Sequence, residues 1–212
     1  PPRSTLFPYT TLFRSIGRYI TSTGDDHYVL LATNTLGGTN SGPFVGPVVI
    51  RQVMYHPPDF AGSIDNAADE YIEIVNRTSS PVPFFDPLAP TNVWHLRGGV
   101  SLDFGANTYL GPGANAVLVS FSPDNQALAG AFRSKYGHFA TTLLFGPYSG
   151  KLDNSSDAVE IKRPDVPGTN GVPYYTLDRV EYHDTSPWPT NADGGGGALV
   201  RGEPRRCSLG GG

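Results

Sequence analysis

Residues 92–104, "NVWHLRGGVSLDF", decide the fold class. Trp94 and Leu96 alternate with polar neighbours, the Gly98-Gly99 pair supplies a turn, and Val100, Leu102 and Phe104 resume the alternation with period two. Two short runs of alternating apolar residues around a glycine turn read as an antiparallel β-hairpin with one buried face. The same grammar recurs on both sides. "GPVVIRQVMYHPPD" places Val48, Ile50 and Val53 to Tyr55 between Pro47 and the Pro57-Pro58 breaker, and "DEYIEIVNRT" alternates around Ile72 and Ile74. "TYLGPGANAVLVSF" turns at Gly111-Pro112-Gly113 into an apolar strand from Ala116 to Phe121. "AVEIKRP" and "YTLDRVEYHD" add two more strands, the second alternating imperfectly through Leu177, Val180 and Tyr182.

One helix interrupts this series. Ser122 is placed to cap it, Pro123 fits the first turn, Leu128, Phe132 and Tyr136 recur at helical spacing, and Gly137 is placed to close it. Many antiparallel strands with one short inserted helix predict an all-β, two-sheet sandwich. Its expected core is Ile50, Ile72, Ile74, Trp94, Leu96, Val117, Val119, Val159, Ile161 and Val180.

Bulk composition agrees with a strand-and-turn protein. Charged residues are 16% of the 212, below the roughly 25% usual for globular domains, and 26 Gly and 20 Pro supply turns. A net charge of −4 offers no basic stripe for phosphate backbones, so nucleic acid is not an expected partner. No window approaches the roughly 18 apolar residues of a membrane-spanning helix. Cys207, the single cysteine, leaves the fold to burial and hydrogen bonds.

The N-terminus is of a different kind. "TLFPYTTLFRS", residues 5–15, resembles the translation of a common short-read sequencing adapter, so residues 1–15 are expected to lie outside any fold, and no export signal is visible in them. Residues 16–46 carry one strand, Tyr28 to Ala32, and a Gly/Asn/Ser linker; they are expected to be either an added edge strand or the end of a preceding repeat. Residues 47–201 form the main domain, and 202–212 a disordered tail.

In order along the chain, "VVIRQVMYHPP", "DEYIEIVNRTSSPV", "GGVSLDF", "YLGPGANAVLVS", "FGPYSGKLDNSSDAVEI" and "LDRVEYHDTSPWPTNADGGGGAL" resemble the lamin tail domain of multidomain bacterial proteins, over about residues 47 to 200. The resemblance implies an immunoglobulin-like sandwich without catalysis of its own, set beside other domains of the same polypeptide in an extracellular or cell-envelope protein. Two departures stand out: a longer loop, "FFDPLAPTNVWHL", precedes Trp94, and the pattern stops after Arg201.

"GPYSGKL", residues 146–152, has three residues between its glycines, and Leu152 where a phosphate loop needs Ser or Thr, so it reads as a turn. Ser149 lacks a nucleophile elbow. His27, His56, His95, His138 and His183 stand singly, without paired zinc spacing, and no cofactor is expected. Asp65, Asp69 and Glu70 are the candidate metal ligands, but they lack the ordered spacing of a calcium loop, and the favoured reading is a solvated acidic loop. Glu70 and Glu73, three apart on a strand, would face opposite sides. Trp188, Tyr148, Tyr174 and Tyr175 are the candidate ligand-binding aromatics, Trp188 in "SPWPT" being better explained by packing. Asn76-Arg77-Thr78 and Asn154-Ser155-Ser156 match the glycosylation triplet. The expected function is therefore a non-catalytic structural or interaction module, with protein or glycan at the cell surface as partner; the alternative is a carbohydrate-binding module accompanying an extracellular hydrolase.

Overall fold

A computed structural model describes residues 15–20, 24, 26–61, 63–169 and 171–202, which fall into two units meeting between Gly46 and Pro47. Residues 1–14, Cys207 and most of the 202–212 tail lie outside the described residues.

The first unit holds a hairpin of β1 (Ile16–Ile20) and β2 (Asp26–Leu30), clasped by an Arg18–Asp26 ion pair of 2.8 Å. Its two strands pair with each other as a separate sheet, and β2 lies two residues earlier than the expected strand at 28–32. Leu31 is its one buried large apolar side chain among the described residues, whereas Ile16, Ile20 and Tyr28 are exposed.

The second unit is an all-β sandwich. One sheet orders β12 (Leu143–Phe145), β11 (Asn115–Val119), β4 (Tyr71–Asn76), β3 (Val48–Met54) and β16 (Leu199–Val200). The other orders β13 (Ser149–Gly150), β9 (Val100–Asp103), β8 (His95–Gly98), β14 (Ser156–Pro164) and β15 (Tyr174–His183). Short pairs of β5 (Val82–Pro83) with β10 (Tyr109–Leu110) and β6 (Phe85–Asp86) with β7 (Ala89–Val93) complete the strands.

The β8–β9 hairpin forms where the double glycine places it, pairing His95 with Asp103 and Leu96 with Leu102. Gly98 sits at φ +120°, and a Cβ there would lie 1.8 Å from the Ala158 carbonyl oxygen across the β14 pairing. Only glycine fits both the turn and the neighbour. Ile50, Ile72 and Ile74 of the first sheet and Trp94, Leu96, Val159 and Ile161 of the second join one buried cluster, each at most 1% exposed. Phe84 is its aromatic centre, stacked on Phe104 at 4.3 Å and edge-on to Trp94 at 5.2 Å and Phe145 at 5.7 Å. Val180 only half-buries against this cluster: a bulge at Leu177 resets the β14–β15 register and makes Leu177 and Tyr182 the fully buried positions.

Three expectations are corrected. Val117 and Val119 are buried, but on the opposite face from Ala116 and Leu118, under the helix α1 (Gln126–Lys135) with Ala129, Phe132 and Phe139. That double burial explains why β11 reads as an unbroken apolar run. The β11–β12 pair is parallel, because α1 carries the chain across between them. The cap of α1 is Asn125, whose Oδ1 accepts from the Leu128 amide at 3.2 Å; the helix therefore starts later, presents Ala129 and Phe132 inward and leaves Leu128 46% exposed.

Candidate functional site

Three connections meet at one end of the sandwich: residues 55–70 between β3 and β4, 146–155 leading into β14, and 184–198 between β15 and β16. They hold most of the sequence-predicted polar candidates. Glu70, fully buried, accepts the Leu152 amide on Oε2 at 2.9 Å, and Tyr148 Oη donates to the Glu70 carbonyl at 3.1 Å. Burial pushes the Glu70 carboxyl up to about 7, with the Leu152 amide pulling partly the other way. Burial likewise raises the Tyr148 and Tyr182 phenols. Tyr182 stacks on Tyr55 at 4.4 Å and donates to the Asp153 carbonyl at 2.8 Å. Asp153 Oδ1 accepts from the Ser155 hydroxyl and from the amides of Ser155 and Ser156, which holds its carboxyl down at about 2.

The three acidic candidates do not converge. Asp65 meets Lys151 at 2.7 Å and Asn154 at 3.3 Å, and the Lys151 ammonium is the first cause of its lowered pKa. Asp69 meets Lys135 and Asn66. Glu70 points into the protein, so the expectation of a solvated loop fails for it: the Leu152 amide and the closing core take it out of water. Glu73 lies further along β4 against Arg51 at 3.7 Å. Among the described residues no group of three His, Cys, Asp or Glu is placed to hold a metal ion.

The phosphate-loop lookalike is strand and turn. Gly150 takes φ +87° where a Cβ would sit 2.6 Å from the Gly99 carbonyl, and Lys151 is drawn to Asp65. Ser149 Oγ donates to the Ser101 carbonyl at 3.3 Å. His56 bridges Asp193 at 2.6 Å and Asp59 at 3.6 Å, tying the first connection to the third. His95 stacks on Tyr174 at 4.1 Å and is pushed down by burial. His183 is exposed, 6.5 Å from Trp188. The side chains of His27 and His138 lie outside the described residues.

The four aromatic candidates sit in different surroundings. Tyr148, 4% exposed, is core and is withdrawn as a sugar platform. Trp188 and Tyr175 are half-buried against the main cluster, and Tyr174 faces His95. Asn76 is also withdrawn as a glycosylation acceptor. Fully buried at the end of β4, its Nδ2 lies 2.8, 2.9 and 2.8 Å from the carbonyls of Ser80, Leu110 and Gly111, which share its two hydrogens, while Oδ1 accepts the Thr78 amide and hydroxyl.

Three further polar residues have surroundings that sequence patterning did not foresee. Asp178, next to the β15 bulge, accepts the Ile50 amide at 2.7 Å beside the β3 bulge at Arg51 and pairs with Arg201 at 3.0 Å, stitching the sheets together. Burial raises its pKa against the pull of Arg201. Asn66 and Asn154 present buried Oδ1 atoms without a partner. The local signal for both is weak, because Asx residues in turns ordinarily face water.

No family model matches the chain, and no curated protein matches it.

Proposed function

We propose that residues 47–201 are a non-catalytic structural or interaction module of the lamin tail domain type, immunoglobulin-like in its topology, within a larger secreted or cell-surface bacterial protein. The observation that carries this reading is the state of the loop-end groups. Asp65, Asp69, Glu70, His56 and Asp153, the residues whose types suit acid–base or metal chemistry, are each engaged by the fold itself, Glu70 on one of its two carboxyl oxygens. A catalytic carboxylate or imidazole needs a reacting atom within hydrogen-bond reach, and these are occupied by Lys151, Lys135, Leu152, Asp193 and Ser155. Recognition then falls to the exposed loop surfaces and neighbouring domains of the same polypeptide.

The experiment is a panel of glycoside, ester and phosphodiester substrates together with a glycan array. The module reading predicts no turnover above a buffer blank and no glycan retention that Trp188→Ala abolishes. Turnover that disappears in His56→Ala overturns it. Retention lost in Trp188→Ala establishes the carbohydrate-binding alternative instead.

A further inference from the structure

Six buried side-chain polar atoms lack a hydrogen-bond partner among the described residues, and three of them are acceptor oxygens of the same loop end: Asn66 Oδ1, Glu70 Oε1 and Asn154 Oδ1. Leaving a buried acceptor unpaired costs about 1–3 kcal/mol, more for a charged one. Three such oxygens on two adjoining connections, one of them a carboxylate oxygen, would be satisfied together by a cation seated among them.

We propose that this end of the sandwich binds one calcium ion, with Glu70 Oε1, Asn66 Oδ1 and Asn154 Oδ1 as its side-chain ligands.

The surroundings explain how these ligands are oriented. Asn66 turns its amide nitrogen onto Asp69 Oδ2 at 2.6 Å and the Pro58 carbonyl at 3.1 Å, which aims Oδ1 the other way. Asn154 turns its nitrogen onto Asp65 Oδ1. The Leu152 amide pins Glu70 Oε2 and leaves Oε1 as the free oxygen of that carboxyl. Asp65 and Asp69 thus act behind the ligands rather than as ligands, an arrangement in which outer carboxylates fix the inner groups. Lys151 and Lys135 balance those two carboxylates. Glu70 and Asn66 flank a single 3-10 turn at Ala67–Asp69, and the Lys151–Asp65, Leu152–Glu70 and Asn154–Asp65 bonds lay the second connection across it.

An all-oxygen donor set selects a hard cation, and ligands drawn from irregular loops suit the variable coordination of calcium better than the strict octahedron of magnesium. With the two ion pairs cancelling, Glu70 alone supplies net negative charge, and only once it has lost its proton, because burial raises its carboxyl to about 7; Lys151 opposes part of that charge. That predicts affinity at the weak, extracellular end of the calcium range, a Kd of about 10⁻⁴ to 10⁻³ M.

The test is thermal unfolding of the full chain at pH 7.5, in EDTA and then in up to 10 mM calcium chloride or magnesium chloride. At about ten to a hundred times Kd, calcium shifts the folding equilibrium roughly 10- to 100-fold, a rise of about 3–10 °C in Tm that grows with log concentration. Magnesium gives a smaller rise. Glu70→Gln and Asn154→Ala abolish the calcium response; Asn154 is half-exposed, so that variant keeps the test valid if Glu70→Gln does not fold. No calcium-dependent rise in the wild type, an equal rise with magnesium, or an undiminished rise in Asn154→Ala would overturn the assignment.

Discussion

Asn76→Asp replaces one amide nitrogen with an oxygen and leaves shape almost unchanged, yet it should be among the most damaging substitutions in the sandwich. The nitrogen lies 2.8–2.9 Å from three carbonyl oxygens, those of Ser80, Leu110 and Gly111, so an ionised carboxylate there would face three acceptors with no donor. The introduced carboxyl must stay protonated for the fold to persist. An Asp in the unfolded chain ionises near 3.9, and each pH unit above that adds about 1.4 kcal/mol to the cost of keeping the proton. The sign is that of a folded-state pKa raised above the unfolded one: the variant is least impaired below pH 4 and weakens as pH rises toward its folded pKa. Between pH 5 and pH 7.5 the penalty grows by about 3 kcal/mol if that pKa exceeds 7.5. Asn76→Ala, which orphans the same carbonyls and the Thr78 amide, should cost about 2–4 kcal/mol at both pH values. Urea unfolding followed by tryptophan fluorescence, with Trp94 1% exposed as reporter, measures both variants against wild type. An Asn76→Asp penalty equal at pH 5 and 7.5, or smaller than that of Asn76→Ala at pH 7.5, refutes the reasoning.

Phe84→Ala should cost about 3–5 kcal/mol by calorimetry, because its ring meets Phe104, Trp94 and Phe145 in a site with no exposure; a loss under 1 kcal/mol would mean the centre of the core is elsewhere. Gly98→Ala drives a Cβ into the Ala158 carbonyl and should cost at least about 3 kcal/mol, whereas Gly137→Ala, with open space around its Cβ, should stay within about 0.5 kcal/mol in the same urea titration. Asp178 has a raised folded-state pKa, so its contribution is fully present below about pH 4 and is lost as pH rises through the folded value; stability of wild type minus Asp178→Asn should therefore fall on going from pH 4 to pH 6, and a rising difference would contradict the assignment.

Local signals were sufficient wherever the chain's partner was its near neighbour. The Gly98-Gly99 turn gave β8 and β9 their register, and period-two alternation marked Ile72 and Ile74, Leu96, and Val159 and Ile161 as one interior. They were insufficient where a partner is distant. Nothing near Glu70 announces that an amide 82 residues later will donate to its carboxyl, and an acidic residue before a strand ordinarily faces water. The second buried face of β11 depends on α1 docking over it, and Ser122 and Asn125, three residues apart, are both good caps; the fold uses Asn125, which turns Ala129 and Phe132 toward Val117 and Val119. Tyr148 and Trp188 looked alike as aromatics in turns, and only the Tyr148 bond to the Glu70 carbonyl distinguishes a core residue from a half-buried one.

Methyl and aromatic nuclear Overhauser effects test the two-sheet interior most directly. They should join Ile50, Ile72, Ile74 and Leu118 to Leu96, Val159 and Ile161, while Val117 and Val119 connect instead to Phe132 and Phe139. Absence of cross-peaks between the two isoleucine-bearing sets, or cross-peaks from Val117 into the Leu96 and Ile161 group, would contradict a sandwich closed in this way.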